Sequence, residues 1–404
     1  MHLLSSWVLL LSTLFLGPSS TPPGPAMSDP DRDADEYWIY VGSQVGDEIH
    51  RIHFGPEGIR VEASFSLATT SNGSEGTRGL VISPDQRHLY VLTGEGQEEG
   101  RLWKYALPRS GGESEQLADG PIRLGPLSTT IDISPDGSFL FSPNFNFYGE
   151  RVPSTLSVVF GPDLYEVVRI ELCTMPHGAR VSPSGNHIYT VCMMDDQLVE
   201  VDALSMEPSR RFSVSQGREG PLPTELERGG PGTGDPDPDA AAAPPAAGLR
   251  LPGTSSGMTC APTWASPSEN GRWIWVACNG TDEIHEVDLE GWRLRRTFRT
   301  GRGPYQVAPT PDGRHLVTTL RQGGAVEIFD LVEGFSVARI PTSAPGAHGL
   351  AISPDGRYAF VSVEGSEGGA GKLDVVDLER LERVAEVEVG PQASGIAIWK
   401  VEPR

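Results

Sequence analysis

Apolar and polar positions alternate in short runs along this chain, and one recurring phrase marks the runs off. Two or three apolar residues lead into Ser/Thr-Pro-Asp/Ser-Gly, and a β-rich run follows. It appears as LVISPDQRHLYVLT from Leu80, IDISPDGSFLFS from Ile131, ARVSPSGNHIYTV from Ala179, TWASPSENGRWIWVA from Thr263, VAPTPDGRHLVTT from Val307 and LAISPDGRYAFVS from Leu350. The phrase predicts a tight hairpin: Pro ends one strand, Asp stabilises the turn and Gly supplies left-handed backbone before the next strand. A third strand ending in apolar-x-Asp follows in LVEVDAL, IHEVDL, VEIFDL and LDVVDL, and a fourth in RRFSV, LRRTFRT, SVARIPT and RVAEVEV. Period-2 alternation suits sheets stacked face to face.

The phrase prolines stand at 84, 135, 183, 267, 311 and 354, with one long interval that holds a Gly/Pro/Ala-rich stretch from Gln216 to Gly257. A period in the forties, built from short strands, predicts a propeller. Six phrases give six blades, and the chain ends supply a seventh. EYWIYVGSQVGDEIHRIHF has second and third strands with no phrase before them, while GPQASGIAIWKV from Gly390 is a first strand with nothing after it. The expected fold is therefore all-β: a seven-bladed β-propeller of four-stranded antiparallel blades, its seam blade closed by the C-terminal strand, which leaves no free strand edge.

Pro-His-Gly from Pro176, Ala-His-Gly from Ala347, the Ser-Pro-Asp-Gly turns and the Val-x-Asp strand endings make residues 37–404 resemble the YVTN-type propellers. That is the family of YncE and archaeal surface-layer repeat proteins, within the group that includes lactonase-type and cytochrome d1-type propellers. The resemblance implies the fold, and a scaffold that hosts binding, hydrolytic and redox roles.

Composition narrows the partners. A net charge of -22, with 32 Lys+Arg scattered among 54 Asp+Glu, disfavours nucleic acid and anionic membrane surfaces. Residues 3–17 are an apolar run too short for a span and are followed by small, Pro-rich, then acidic residues. A signal peptide over 1–26 and a flexible leader over 27–36 are expected, giving a periplasmic or secreted protein with no membrane insertion after cleavage. The stretch 216–257 has no aromatic residue, and is expected to be a disordered insertion within the propeller at 37–404.

Placed on the repeat, Cys192 and Cys278 end second strands, while Cys173 and Cys260 precede first strands of the same blades. Two readings stand open. One is a pair of disulfides, Cys173–Cys192 and Cys260–Cys278; the other is a soft-ligand metal site with Met175, Met193, Met194 and His177.

Six positions before each phrase proline stand Arg78, Thr129, His177, Ala261, Tyr305 and His348, joined by Ser394 from the seam strand. Ends of second strands add Asn144, Asn279, Arg321 and Glu364. The expected ligand-binding residues at the channel mouth are His177, His348, Tyr305, Arg78, Arg321, Glu364 and Asn144. The competing reading of each histidine is a turn former bonded to a neighbouring backbone. No catalytic set, cofactor or metal is assigned.

Three function classes follow. The leading expectation is a binding or scaffold protein that takes a small molecule, a cell-envelope polymer or a protein partner at the channel face. A lactonase-like hydrolase is one alternative, with His177, His348, Glu364 and Arg321 to activate water and stabilise an oxyanion. A metal- or tetrapyrrole-binding, redox-associated propeller is the other. The sequence offers no GxSxG set between a strand and a helix as a nucleophile elbow, and no HExxH motif, to support the familiar hydrolases.

Overall fold

The computed structural model describes residues 35–67, 76–94, 99–109, 115–146, 152–220 and 259–403. The expected signal peptide, most of the leader and residues 221–257 of the insertion lie outside the described residues. Among the described residues there is no helix, and every strand pairs antiparallel.

Five sheets have four strands each, and a sixth has nine. The nine-stranded sheet is two four-stranded runs, Pro176–Val181 to Glu207–Ser213 and Pro262–Pro267 to Arg293–Arg299, joined through the short strand Arg218–Gly220. That strand pairs with both outer neighbours, Phe212 against Glu219 and Arg218 against Arg293. Residues 216–220, the start of the expected insertion, belong to this strand and the turn before it. Gly217, in left-handed backbone, makes the turn into the joining strand.

The phrase folds as the sequence predicts. In the copy before Ser138, Ser134 Oγ donates to Asp136 Oδ1 (2.5 Å) and accepts from Phe139 N (2.9 Å), while Gly137 adopts φ 76°. Ser83, Thr310 and Ser353 repeat the acceptance from the residue five ahead. The Val-x-Asp endings close the next turn: Asp202 accepts from Ser205 N (2.7 Å) and Asp377 from Arg380 N (2.7 Å). Each is an Asp side chain substituting for backbone partners at a turn.

The fourth copy corrects the sequence alignment. There the turn is Ser268-Glu269-Asn270-Gly271, with Ser268 Oγ donating to Asn270 and accepting from Trp273 N, so Pro267 ends the strand instead of opening the turn. The register moves by two residues. Thr263, and not Ala261, stands where Arg78, His177, Tyr305 and His348 stand in their blades.

The C-terminal strand Ala393–Glu402 closes the seam, pairing with Glu36–Ser43 through Ile39 against Ile398 and Val41 against Ile396. Apolar clusters lie between neighbouring sheets, as at the seam, where Tyr37 and Phe54 meet Tyr358 and Phe360.

All four cysteines are oxidised, as Cys173–Cys192 and Cys260–Cys278. Cys173 lies on the outer strand Tyr165–Thr174 of the preceding sheet, so the first bridge joins two sheets, whereas the second stays within one. The soft-ligand reading loses its thiolates. Thiol titration should find no reactive cysteine before reduction and four after denaturing reduction. Opening loops of 19 and 18 residues should lower stability by about 3 kcal/mol each on the chain-entropy account. Reactive thiols in unreduced protein would contradict the pairing.

Candidate functional site

Residues in or just before the first strands of the sheets line a cavity of about 100 Å³. Its wall includes Arg78, Thr129, His177, Trp264, Tyr305, Gln306, His348 and Ser394. Hydroxyls from second strands fasten these inner strands by their carbonyls: Thr190 Oγ1 donates to His177 O (3.1 Å), Thr319 Oγ1 to His348 O (2.9 Å) and Ser362 Oγ to Ser394 O (2.6 Å). The result is a ring of side chains on rigid backbone. His177, Thr129, Tyr305 and Ser394 are buried, so little of the ring itself is open to solvent.

Glycine sets how closely the inner strands approach. A side chain on Gly395 would strike Arg78 O at 2.1 Å, and one on Gly178, at φ +63°, would strike Thr263 O at 2.8 Å. The residues just after the ring are Gly79, Gly178, Gly349 and Gly395, against Thr130, Trp264 and Gln306. The larger three extend into the space the glycines leave.

His177 is the best-defined group. Its Nδ1 lies 2.7 Å from Thr263 O, and a carbonyl only accepts, so Nδ1 carries the proton. Nε2 is left as an acceptor, 3.4 Å from the Tyr305 hydroxyl. Burial pushes the imidazole down to about 4, with the nearby Arg78 and Arg321 charges adding to the shift against the Thr263 bond. His177 is therefore a neutral base in the cavity wall, with Nε2 as its acceptor nitrogen. His348 is also held well below its ordinary value, by burial first and then by Arg321, His177 and Arg78. Burial raises the Tyr305 phenol, which keeps it protonated.

Arg321 and Glu364 do not line the cavity. They pair with each other, Arg321 Nε to Glu364 Oε1 at 3.0 Å and Nη2 to Oε2 at 3.1 Å. The guanidinium stands 5.4 Å from the Tyr305 ring centre, and Glu364 Oε1 is 3.9 Å from His348 Nε2. This ion pair backs the wall that Tyr305 and His348 form. Asn144 is likewise away from the cavity: it accepts from Ser128 Oγ (2.7 Å) and donates to Thr155 Oγ1 (2.7 Å) and Ser157 Oγ (3.0 Å). Those bonds use its amide to tie a strand end to its neighbours, in place of the expected ligand contact.

Among the wall residues, Arg180, Trp264 and Gln306 escaped the sequence reading. Arg180 lies over the Trp264 ring at 4.6 Å and interacts electrostatically with Asp132, whose carboxyl burial raises. Gln306 accepts from Leu350 N at 2.6 Å and joins two inner strands. Asp132 and Arg180 both stand three before their phrase prolines, where Val81, Ala308 and Ala351 stand in other copies. Opposite charges in a column of apolar residues were the available signal.

Among the described residues no group of three or more His, Cys, Asp and Glu is placed to hold a metal ion. The metal- or tetrapyrrole-binding alternative keeps only its histidines.

No known protein-family profile matches the chain. It is similar to the 6-phosphogluconolactonase of Cronobacter sakazakii, 23% identical over 349 residues, covering 83% of this chain and 92% of that protein. The 6-phosphogluconolactonase of Enterobacter sp. is 24% identical over 328 residues, covering 80% and 87%. Among solved structures, the periplasmic gluconolactonase of Pseudomonas aeruginosa superposes with a TM-score of 0.62 at 19% identity, over 91% of this chain and 100% of that one. Hydrazine synthase of Kuenenia stuttgartiensis superposes with a TM-score of 0.57 at 17% identity, over 82% and 93%, so the superposition alone establishes the fold and nothing more. The relatives named as lactonases overturn the leading expectation of a binding or scaffold protein, and the lactonase alternative takes its place.

Proposed function

We propose that this chain is an exported, seven-bladed lactone hydrolase whose reaction takes place in the central cavity. The nine-stranded sheet is taken as two blades, and the turn phrases keep the likeness to YVTN-type propellers. Two disulfides favour an oxidising compartment outside the cytosol.

One observation carries the reading: Thr263 holds the proton of His177 on Nδ1 and leaves Nε2 as the acceptor, 3.4 Å from the Tyr305 hydroxyl, in a wall that also holds Arg78. A water held at Nε2 attacks the lactone carbonyl carbon and gives one proton to the imidazole. Charge then forms on the carbonyl oxygen, where Arg78 opposes it. Collapse breaks the ring C–O bond, and the imidazolium returns its proton to the departing alkoxide. The hydroxy acid ionises and releases one proton to solvent. Tyr305 and His348 shape the wall, and the Arg321–Glu364 pair fixes both.

A pH-stat test on the purified chain, with gluconolactone as substrate, should record proton release above the spontaneous rate. Because neutral His177 is the active form and its proton binds only near pH 4, kcat/KM should hold as pH falls through 6.5 and decline around about 4. An acid limb centred at the ordinary histidine value would remove His177 as the base. No proton release above background would remove the hydrolase reading.

A further inference from the structure

We infer that the lactone taken by this cavity is an uncharged, polyhydroxylated ring, without a phosphate or a carboxylate. The inference rests on the hydrolase reading above and names its substrate class. It comes from the charges in and directly behind the wall.

Three guanidiniums bear on the cavity: Arg78, Arg180 and Arg321. Glu364 takes Arg321 through two hydrogen bonds. Asp132 offsets Arg180, which also lies flat on Trp264. Among the described residues Arg78 has no ion pair, and its Nε is buried without an acceptor. Of these three guanidiniums it is the one left over among the described residues, and the reaction uses it against the charge on the carbonyl oxygen. The described wall holds no lysine, and His177 and His348 stay neutral at pH 7.

A phosphate monoester carries about -1.5 to -2 charges at neutral pH. Enclosing that charge without its own cations costs far more than a hydrogen bond returns. If Arg78 neutralised the phosphate, the carbonyl oxygen would lose its stabilising charge. If Arg78 served the carbonyl, the phosphate would be left with neutral side chains and with Arg180, whose charge Asp132 already offsets.

What the wall does offer is neutral. Thr129 Oγ1 and Trp264 Nε1 are both buried without a partner, and buried polar groups find partners. A hydroxyl can donate to the first and accept from the second. Sugar-ring hydroxyls supply such groups around a lactone, and an analogue lacking them would leave both unpaired.

The test compares gluconolactone with 6-phosphogluconolactone in the pH-stat, using the full chain and its Arg78→Gln variant. The expected kcat/KM favours the neutral lactone by at least about tenfold, or about 1.4 kcal/mol. Arg78→Gln should lower both rates by the same factor and leave the preference in place. Preference for the phosphorylated lactone overturns the inference while leaving the hydrolase reading standing. So does a loss in Arg78→Gln confined to the phosphorylated substrate, which would make Arg78 its phosphate ligand. Hydrolysis of neither lactone overturns the hydrolase reading itself, and the substrate class falls with it.

Discussion

Removing every residue from Ser394 onward is expected to abolish the cooperative thermal transition and to drive the chain into aggregates. The lost strand does three things at once. It is the inner strand of the seam sheet, paired with Tyr37–Val41 through Val401, Lys400, Ile398, Ala397 and Ile396. It fills two apolar clusters, Ala397 and Trp399 beside Tyr40 and Leu89, and Ile396, Ile398 and Val401 beside Tyr37 and Phe360. It also ties the ring shut, with Ser394 Oγ donating to Thr77 O at 3.0 Å and Trp399 Nε1 to Gln86 O at 3.0 Å.

Each large apolar side chain so buried contributes about 1.5–3 kcal/mol, against a whole-domain stability of about 5–15 kcal/mol. Several lost together exceed the margin, and the bared edge of Glu36–Ser43 becomes a template for intermolecular pairing. Trp399→Ala gives a graded check, because it keeps the strand and removes one anchor; it should cost about 3–5 kcal/mol. A truncated chain that melts with the intact one by calorimetry would show that the seam contributes little.

The fold was legible because its information is local. Ser/Thr-Pro-Asp-Gly encodes a turn within five residues, and six copies encode the repeat with no knowledge of contacts. Where the code is local but degenerate, the reading slipped: TWASPSENG carries two serines and a proline that does not open the turn, so the fourth ring residue was taken as Ala261 instead of Thr263. That slip concealed the acceptor that fixes the His177 tautomer.

The candidate site was legible only as a column. Position six before the turn proline picked out Arg78, His177, Tyr305 and His348, which line one cavity, because inner strands meet around the axis in register. Which of the other polar residues face the cavity is decided by contacts across tens to hundreds of residues. Arg321 and Glu364 are 43 residues apart and choose each other. Asn144 is consumed by three hydroxyls, Ser128, Thr155 and Ser157. Asp132 and Arg180 come from different sheets, and each alone looks like an ordinary strand residue.

His177→Asn is expected to reduce kcat for lactone hydrolysis by about 10²–10⁴-fold, the range for removing a general base, with KM nearly unchanged. The substitution is chosen from the hydrogen bonds. An asparagine amide reaches about as far as imidazole Nδ1, so it can still donate to Thr263 O, which His177 now meets at 2.7 Å. It has nothing at the position of Nε2, where the proton must go. Packing against Phe145 and Trp264, whose ring centres lie 5.3 and 5.9 Å from the imidazole, is partly lost, so a modest drop in melting temperature accompanies the change. A second signature separates base from scaffold. In the parent, His177 binds its proton at about 4 and at 6.5 when unfolded, so the unfolded chain holds more protons between those values. Stability contributed by this group is therefore complete above pH 6.5 and declines as pH falls toward 4. His177→Asn removes that dependence together with the acid limb of kcat/KM. Were kcat to stay within about threefold of the parent while the pH dependence of stability vanished, His177 would be a buried turn former, as the competing reading of the sequence had it. The base would then have to be sought at His348, whose Nε2 lies 3.9 Å from Glu364 Oε1.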